Sequence, residues 1–234
     1  MTRRLSISSA LVATATLAFA PSSLRAQSAE VDRVAEAARV LGEVLDAPDA
    51  GVPKNILDKA EAIVVFPSTI KGAFVVGAQR GRGVISVRDK AGEWSPPAFL
   101  TLTGGSIGLQ LGGQATDLVL VVMNERGMEK LTGNSFKIGG DASAAAGPVG
   151  REASASTDLT FRAEILSYSR ARGLFAGVSL AGSTIRSDRD ANEKIYGVGY
   201  STKQIVIEKR GGTPNDVKGW IETLTKHLPP VKAS

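Results

Sequence analysis

Ser68-Thr69-Ile70-Lys71 matches the S-x-x-K spacing of serine β-lactamases and penicillin-binding proteins, where one helical turn returns lysine to the serine hydroxyl. Here Pro67 precedes the serine, strand-like runs flank it, and the companion S-D-N and K-T-G elements are missing, so the run reads as a turn. The single histidine, His227, falls on the last turn of the closing helix, where a cation suits the helix C-terminus. Cysteine is absent, which excludes a thiol nucleophile, a disulfide and a lipidated cysteine, and leaves the usual zinc ligand sets unavailable. The glycine-rich runs GGSIGLQLGG (Gly104 to Gly113) and GGDASAAAGPVG (Gly139 to Gly150) lack G-x-G-x-x-G and G-x-x-x-x-G-K-[ST]. Their backbone could still approach a phosphate, with Arg151 supplying charge. Asp117, Asp141, Asp158 and Glu164 lie near β-prone segments, but no acid/base dyad can be named among them.

What remains is a binding pattern. KGAFVVGAQRG (Lys71 to Gly81) and RGLFAGVSLAG (Arg172 to Gly182) both read cation, Gly, any residue, Phe, with a glycine ten positions after the cation. At an offset of 101 they match at Gly72, Phe74, Gly81, Ser86 and Arg88, which suggests a pseudo-repeat. A cation and a large ring beside flexible backbone would suit a corner of a curved sheet.

The chain opens MTRRLSISSALVATATLAFAPSSLRAQ, a cationic start, an apolar run and a small residue at Ala26, which reads as a secretory signal peptide over residues 1–26. The formal net charge is +5, but removing Arg3, Arg4 and Arg25 leaves only about two excess cations, so a nucleic-acid binder is not implied. After the signal no apolar run reaches the roughly 20 residues of a membrane helix. The expected location is therefore exported, periplasmic or envelope-associated, peripheral to the membrane.

Behind the signal the elements follow from periodicity. Val31, Val34, Ala35, Ala38, Leu41 and Leu45 recur at helical spacing, and Val52 to Glu61 predicts a short helix entered through Pro53. The runs AIVVF, GAFVVGAQ, GVISVR, FLTLT, IGLQL, DLVLVVM, FRAEILSYSR, LFAGVSLAG, STIRS and KQIVIEK predict strands, with one or two helical turns over Glu125 to Leu131. A last helix is capped by Thr213, carries Val217, Trp220, Ile221, Leu224 and Leu228 on one stripe, and stops at Pro229. The fold class is α+β: a single domain with a curved, mostly antiparallel, barrel-like sheet, N-terminal helices and a C-terminal amphipathic helix. The 26 glycines supply the bulges and corners that curvature needs.

The order PKNILDKAEAIVVFP, KGAFVVGAQRGRGVISVR, WSPPAFLTLTGGSIGLQLGGQATDLVLVVMNE, GGDASAAAGPVGR, SYSRARGLFAGVSLAGS resembles the SYLF domain family, found in exported bacterial proteins and in eukaryotic proteins with SH3 or FYVE modules. The motif core spans 53–187 of a domain placed at 27–234. The resemblance implies a non-enzymatic lipid-binding domain of the bacterial envelope, with no cofactor and no metal. Eukaryotic members are associated with phosphoinositide membranes and actin; actin is not an expected partner of an exported chain. In those members a basic N-terminal helix is linked to phosphoinositides, whereas Glu30 to Asp46 here holds three more acids than cations. Binding of anionic phospholipid is therefore expected through cations at glycine turns, Lys71, Arg80, Arg82, Arg151, Arg170 and Arg172, with Phe74, Trp94, Phe99 and Phe175 beside them. The alternatives are a structural or scaffold envelope protein with protein partners, and a hydrolase using Ser68 and Lys71.

Overall fold

The computed structural model describes residues 22–46, 52–73, 77–106, 114–149, 162–171 and 174–230. Helices α1 (Ser22–Leu45) and α2 (Lys54–Leu57) lead into β1 (Ala62–Ala73), β2 (Gly77–Val87), β3 (Ala98–Ser106) and β4 (Gln114–Val122). Helix α3 (Glu125–Leu131) follows, then β5 (Ser135–Lys137), β6 (Ala144–Ala146), β7 (Ile165–Ala171), β8 (Leu174–Gly177) and β9 (Thr184–Ser187). Three helices close the order: α4 (Arg189–Tyr196), α5 (Thr202–Val206) and α6 (Lys218–His227). The strands form one curled sheet in the order β5-β9-β3-β2-β1-β4-β7-β6, with β8 also on β7. Every pairing is antiparallel except β6 on β7. The α+β, single-sheet architecture expected from the sequence is the one observed.

Strand alternation divides the sheet into two buried faces. Ile63, Val65, Val84, Phe99, Val119, Val121, Leu166 and Tyr168 pack under α1, α4 and α6. Val64, Phe66, Ile85, Leu100, Leu102, Leu118, Leu120 and Ile185 form the other face, covered by Leu131 of α3, Phe136 and Ile138 near β5, and Ile205 and Val206 of α5. Burial on both sides explains why the central strands read as nearly continuous apolar runs.

Several local expectations are revised. KQIVIEK is not a strand: α5 occupies its first half. Ser201 accepts from the Gln204 amide, and the Gln204 side chain accepts from the Ser201 amide, a capping box that outweighs the β-branched residues after it. GAFVVGAQ is divided between the end of β1 and the start of β2, with 74–76 outside the described residues. Only Leu174–Gly177 of LFAGVSLAG is strand. Helix α4, which no apolar period announced, starts on the Asp188 side chain and ends at Gly197 with φ 72°. The final helix begins later than expected, at Lys218, after a 3₁₀ turn over Asn215–Val217. On α1 the buried stripe is Val34, Ala37, Val40, Leu41 and Val44, rotated from the expected one and extended by Glu30 and Arg33.

A close backbone crossing lies between β1 and β2. A Cβ on Gly83 would stand 2.4 Å from the Val65 carbonyl oxygen and 2.5 Å from the Phe66 ring. Gly83→Val is therefore expected to cost about 3 kcal/mol in urea unfolding. Gly42→Ala, in open space on α1, should instead stabilise by about 0.5–1 kcal/mol.

Glu164 ties three elements together: it accepts from Lys130 of α3 at 3.0 Å and from the Ser143 amide at 2.8 Å, next to β7. Burial alone would raise its carboxyl, but Lys130, the amide and Arg126 hold it below the ordinary value. A depressed folded pKa contributes fully above the unfolded value, and that contribution is lost as pH falls through the folded one. The acid limb of the stability curve should accordingly flatten in Glu164→Gln, measured by unfolding between pH 6 and pH 3.

Candidate anion-binding face

The helical layer covers only half of its side of the sheet. On β2 the covered residue Val84 is followed, two positions back on the same face, by exposed Arg82 and then Arg80. On β3, Phe99 is covered, whereas Thr101 is half-buried and Thr103 exposed. Register assembles these into two rows. Arg82 pairs with Thr101, Thr101 with Arg186, and Arg186 with Ser135. Ile70 pairs with Arg80, Arg80 with Thr103, Thr103 with Thr184, and Thr184 with Lys137. Gly81, Gly83, Leu102, Ile185 and Phe136, which alternate with them, point to the other face and are buried there.

This open face is cationic. Arg80, Arg82, Arg186 and Lys137 are exposed, and among the described residues their side chains have no ion-pair or hydrogen-bond partner. No carboxylate occupies either row. On this side Asp117 and Asp188, at the edge of the helical layer, are held by Arg170 and Arg33, and Asp141 just past β5 accepts from the Lys137 backbone amide at 2.7 Å. Ile70, 63% exposed, adds an apolar side chain next to Arg80. Like charges that share a sheet face repel, so the fold carries this cluster at a cost.

The expected site residues separate into three groups. Arg80 and Arg82 lie together on the open face. Arg170 is on the same side but occupied, bonded to Glu43 of α1 and 3.6 Å from Asp117. Trp94 and Phe99 are corrected to core residues: Phe99 is fully buried, and Trp94 donates its indole N–H to the Leu228 carbonyl at 3.1 Å. Their cation partners are internal, Arg33 lying 5.3 Å from the Phe99 ring centre and Arg88 4.7 Å from that of Trp94. Phe175 is half-buried and stacks on Tyr168 with ring centres 5.2 Å apart. Phe74, Arg151, Arg172 and the Lys71 side chain lie outside the described residues. Sequence reasoning missed Arg186 and Lys137, which are remote in the chain and become neighbours only through β9 and β5.

The two cation-Gly-x-Phe segments do not occupy equivalent places. Among the described residues Gly81 is inside β2, whereas its counterpart Gly182 lies in a turn ahead of β9 with φ 85°. The offset of 101 is thus not a structural repeat. Ser68 sits at a bulge in β1 with φ 50°, its amide donating to Asp117 Oδ1 at 2.9 Å. Extended backbone from Thr69 to Lys71 replaces the helical turn that S-x-x-K chemistry uses, and the turn expected there is a strand. A separate cleft of about 510 Å³ sets Lys59, Lys90 and Lys209 against Glu61, Asp89 and Glu125, so its charge is balanced. Among the described residues no helix is long and apolar enough to cross a membrane.

Comparison with known proteins agrees with the motif order. A family model named Ysc84 and described as Las17-binding protein actin regulator matches residues 103–227. The chain belongs to the Ysc84, or SYLF, domain family. SH3 domain-containing YSC84-like protein 1 of Xenopus laevis is 31% identical over 178 residues, 76% of this chain and 52% of that protein. The Homo sapiens protein of the same name is 32% identical over 75% of this chain and 51% of its own length. Protein YSC84 of Saccharomyces cerevisiae is 32% identical over 80% of this chain and 40% of its own. The SYLF chain thus spans about half the length, or less, of the curated relatives it matches. The family model's description, and the name of a further relative, LAS seventeen-binding protein 3 of Saccharomyces cerevisiae, are those of binding or regulatory proteins.

Within this SYLF domain, Arg33 and Arg82 represent opposite uses of arginine. Arg33 is buried between Glu30, which is 2% exposed, and Asp188. Burial pulls its guanidinium pKa down, against the two carboxylates that push it up. Arg33→Ala would leave both acids short of a partner and should cost about 3–5 kcal/mol in urea unfolding. Arg82→Ala should change stability by no more than about 0.5 kcal/mol.

Proposed function

We propose that this SYLF domain is a non-enzymatic module that binds anionic phospholipid at a membrane surface, in the bacterial envelope after export, with the open face of the sheet against the headgroups. The observation that carries this reading is the cluster Arg80, Arg82 and Arg186, exposed and unpaired among the described residues, on a face without a carboxylate in its rows. A cation near an anionic surface contributes about 1 kcal/mol, so three arginines and Lys137 support reversible rather than permanent attachment. Ile70 beside Arg80 would add a small apolar contribution on insertion. The acidic stripe of α1, with Glu36 and Glu43 already bonded to Arg39, lies outside this contact.

A second reading, a protein-binding scaffold, draws on the relatives' names, which include LAS seventeen-binding protein 3. An acidic protein surface would present the same charge to the arginines, but the binding of pure lipid vesicles by the isolated chain separates the two.

Flotation with phosphatidylglycerol vesicles should capture the protein at low salt and release it progressively as ionic strength rises. Arg80→Glu/Arg82→Glu/Arg186→Glu should weaken capture by about 100-fold or more with no loss of folded structure by circular dichroism. No capture of the wild type at low salt, or undiminished capture of the triple variant, would overturn the proposal.

A further inference from the structure

We infer that the cleft where β1 starts and β2 ends is a second binding site, independent of the membrane-surface reading, and that its ligand class is a short free peptide of about three residues, held by its two charged termini. The cleft, about 510 Å³, is of a size that small-molecule sites commonly have. Its walls come from residues 58–61 ahead of β1, residues 87–90 at the end of β2, Glu125 and Met128 of α3, and Val206, Ile207 and Lys209 in and after α5. Val87 and Val206 are buried, Met128 is half-buried, and Ile207, 40% exposed, leaves an apolar side chain open to solvent at the wall.

The charges of the cleft balance in number but are separated by sign. Strand β1 has β2 on one side and β4 on the other. Arg88 and Lys90 follow the end of β2, whereas Glu61 precedes β1 with its amide on the Val122 carbonyl of β4, and Glu125 opens the helix after β4. Asp89, the acid at the cationic end, is already taken by Lys209 at 2.6 Å and by the amides of Ala91 and Glu93. Among the described residues the side chains of Lys90, Glu61 and Glu125 have no hydrogen-bond or ion-pair partner. Lys59, equally unbonded, offsets one of the two acids, which leaves the β4 end negative and the β2 end positive.

Arg88 is fixed in place but not neutralised. Its guanidinium lies over the Trp94 ring and donates to the carbonyls of Asp58 at 3.2 Å and Leu228 at 3.3 Å, and its Nε is buried without an acceptor. Burial pulls its pKa down, while the charges of Asp58 and Glu61 push it up. A carboxylate is the partner that such a preorganised fork lacks.

A ligand that answers both ends carries a carboxylate and an ammonium joined by an apolar stretch. Strands β2 and β4 flank β1 and so lie about 10 Å apart. Three residues of extended chain span about the same distance. A free tripeptide can therefore set its carboxylate at Arg88 and Lys90, its ammonium at Glu61 and Glu125, and its middle side chain against Ile207 and Met128. A single amino acid is too short to reach both ends. A plain anion leaves the acids unanswered and is repelled by them.

The test titrates the tripeptide alanyl-leucyl-alanine into the protein and follows the backbone amide NMR signals. Those of Lys90, Glu125 and Ile207 should shift at millimolar peptide or below. The N-acetylated and the C-amidated tripeptide should each bind about tenfold more weakly, as loss of one charge-assisted contact would give. Glu61→Gln/Glu125→Gln should abolish the penalty for acetylation and keep the penalty for amidation, whereas Lys90→Gln should reduce the penalty for amidation alone. Tm should stay unchanged in both variants, because the replaced side chains bond no protein group among the described residues. Arg80→Glu/Arg82→Glu/Arg186→Glu should bind the tripeptide as the wild type does, which separates this site from vesicle capture. No shifts with the free tripeptide, equal affinity for its free and blocked forms, equal affinity for leucine alone, or an acetylation penalty that survives Glu61→Gln/Glu125→Gln would each overturn the inference and leave the membrane reading standing.

Discussion

Backbone contact without side chains, where β2 passes β1, sets the shape on which the rest depends. At Gly83 a Cβ would meet the Val65 carbonyl and the Phe66 ring, and at Gly81 it would meet Thr69 Oγ1 at 2.6 Å. The same segment of β1 carries the bulge at Ser68, pinned by Asp117 across the sheet. Two glycines and a bulge let neighbouring strands coil strongly without opening the ladder. The face that carries Phe66, Leu100, Leu102 and Ile185 then wraps around its own apolar core. Because Gly81 and Gly83 spend their inward positions on this crossing, the outward positions Arg80 and Arg82 are presented with nothing packed between them.

The dimensions of the layers explain why that outward face stays open. Strand β1 has 12 residues, a length of about 40 Å at strand rise. A helix with its side chains is about 10 Å across, so α1 and α6 side by side cover roughly half of it. Cover stops between Val84 and Arg82 on β2, between Val119 and Asp117 on β4, and between Tyr168 and Arg170 on β7. Helix α1 is held along that boundary by two ionic clamps. Near its middle Arg33 joins Glu30 to Asp188, with Lys194 also on Glu30; near its end Glu43 meets Arg170. Between them Val34, Ala37, Val40, Leu41 and Val44 provide the apolar contact. The clamps act chiefly on position, since a buried ion pair is costly to break and adds little over an apolar contact.

Much of this was legible from local pattern. The β-prone runs GVISVR, FLTLT and DLVLVVM gave the central strands, Glu125 to Leu131 is a helix capped by Asn124, and the stripe Val217, Trp220, Leu224, Leu228 is the buried side of α6. The misses have physical causes. The α1 stripe was displaced because a count of apolar residues passes over Glu30 and Arg33, which are buried through each other. The strand expected at KQIVIEK yielded to the capping box S-x-x-Q, Ser201 to Gln204, which starts two residues ahead of it. For the site, Q-R-G-R-G already showed arginine and glycine on alternate faces of a strand, and T-L-T and T-I-R carry the same alternation. Their assembly into rows could not be read, because β3 and β9 are separated by more than 75 residues and only the sheet makes them adjacent. Trp94 and Phe99 misled because an aromatic ring near a cation in sequence fits a headgroup contact and a buried cation–π pair equally well.

The acidic helix, which counted against a headgroup role for α1, decides which arginines remain available. Each carboxylate on α1 that reaches the sheet meets the cation nearest the boundary: Glu30 takes Arg33 and Lys194, and Glu43 takes Arg170. Asp117 and Asp188, the sheet-side acids at that line, complete the neutralisation. Beyond it, among the described residues, no acid pairs with the Arg80 or Arg186 side chain, and Arg82 feels the like charge of Arg33 besides. Cations along the boundary therefore hold the fold together, and those one or two residues further along the same strands are left facing solvent. A carboxylate within reach, rather than residue type or sequence motif, separates the two: Arg170 meets Glu43 and Asp117, whereas Arg82 lies near the like charge of Arg33, so they look alike in the sequence and differ in the folded chain.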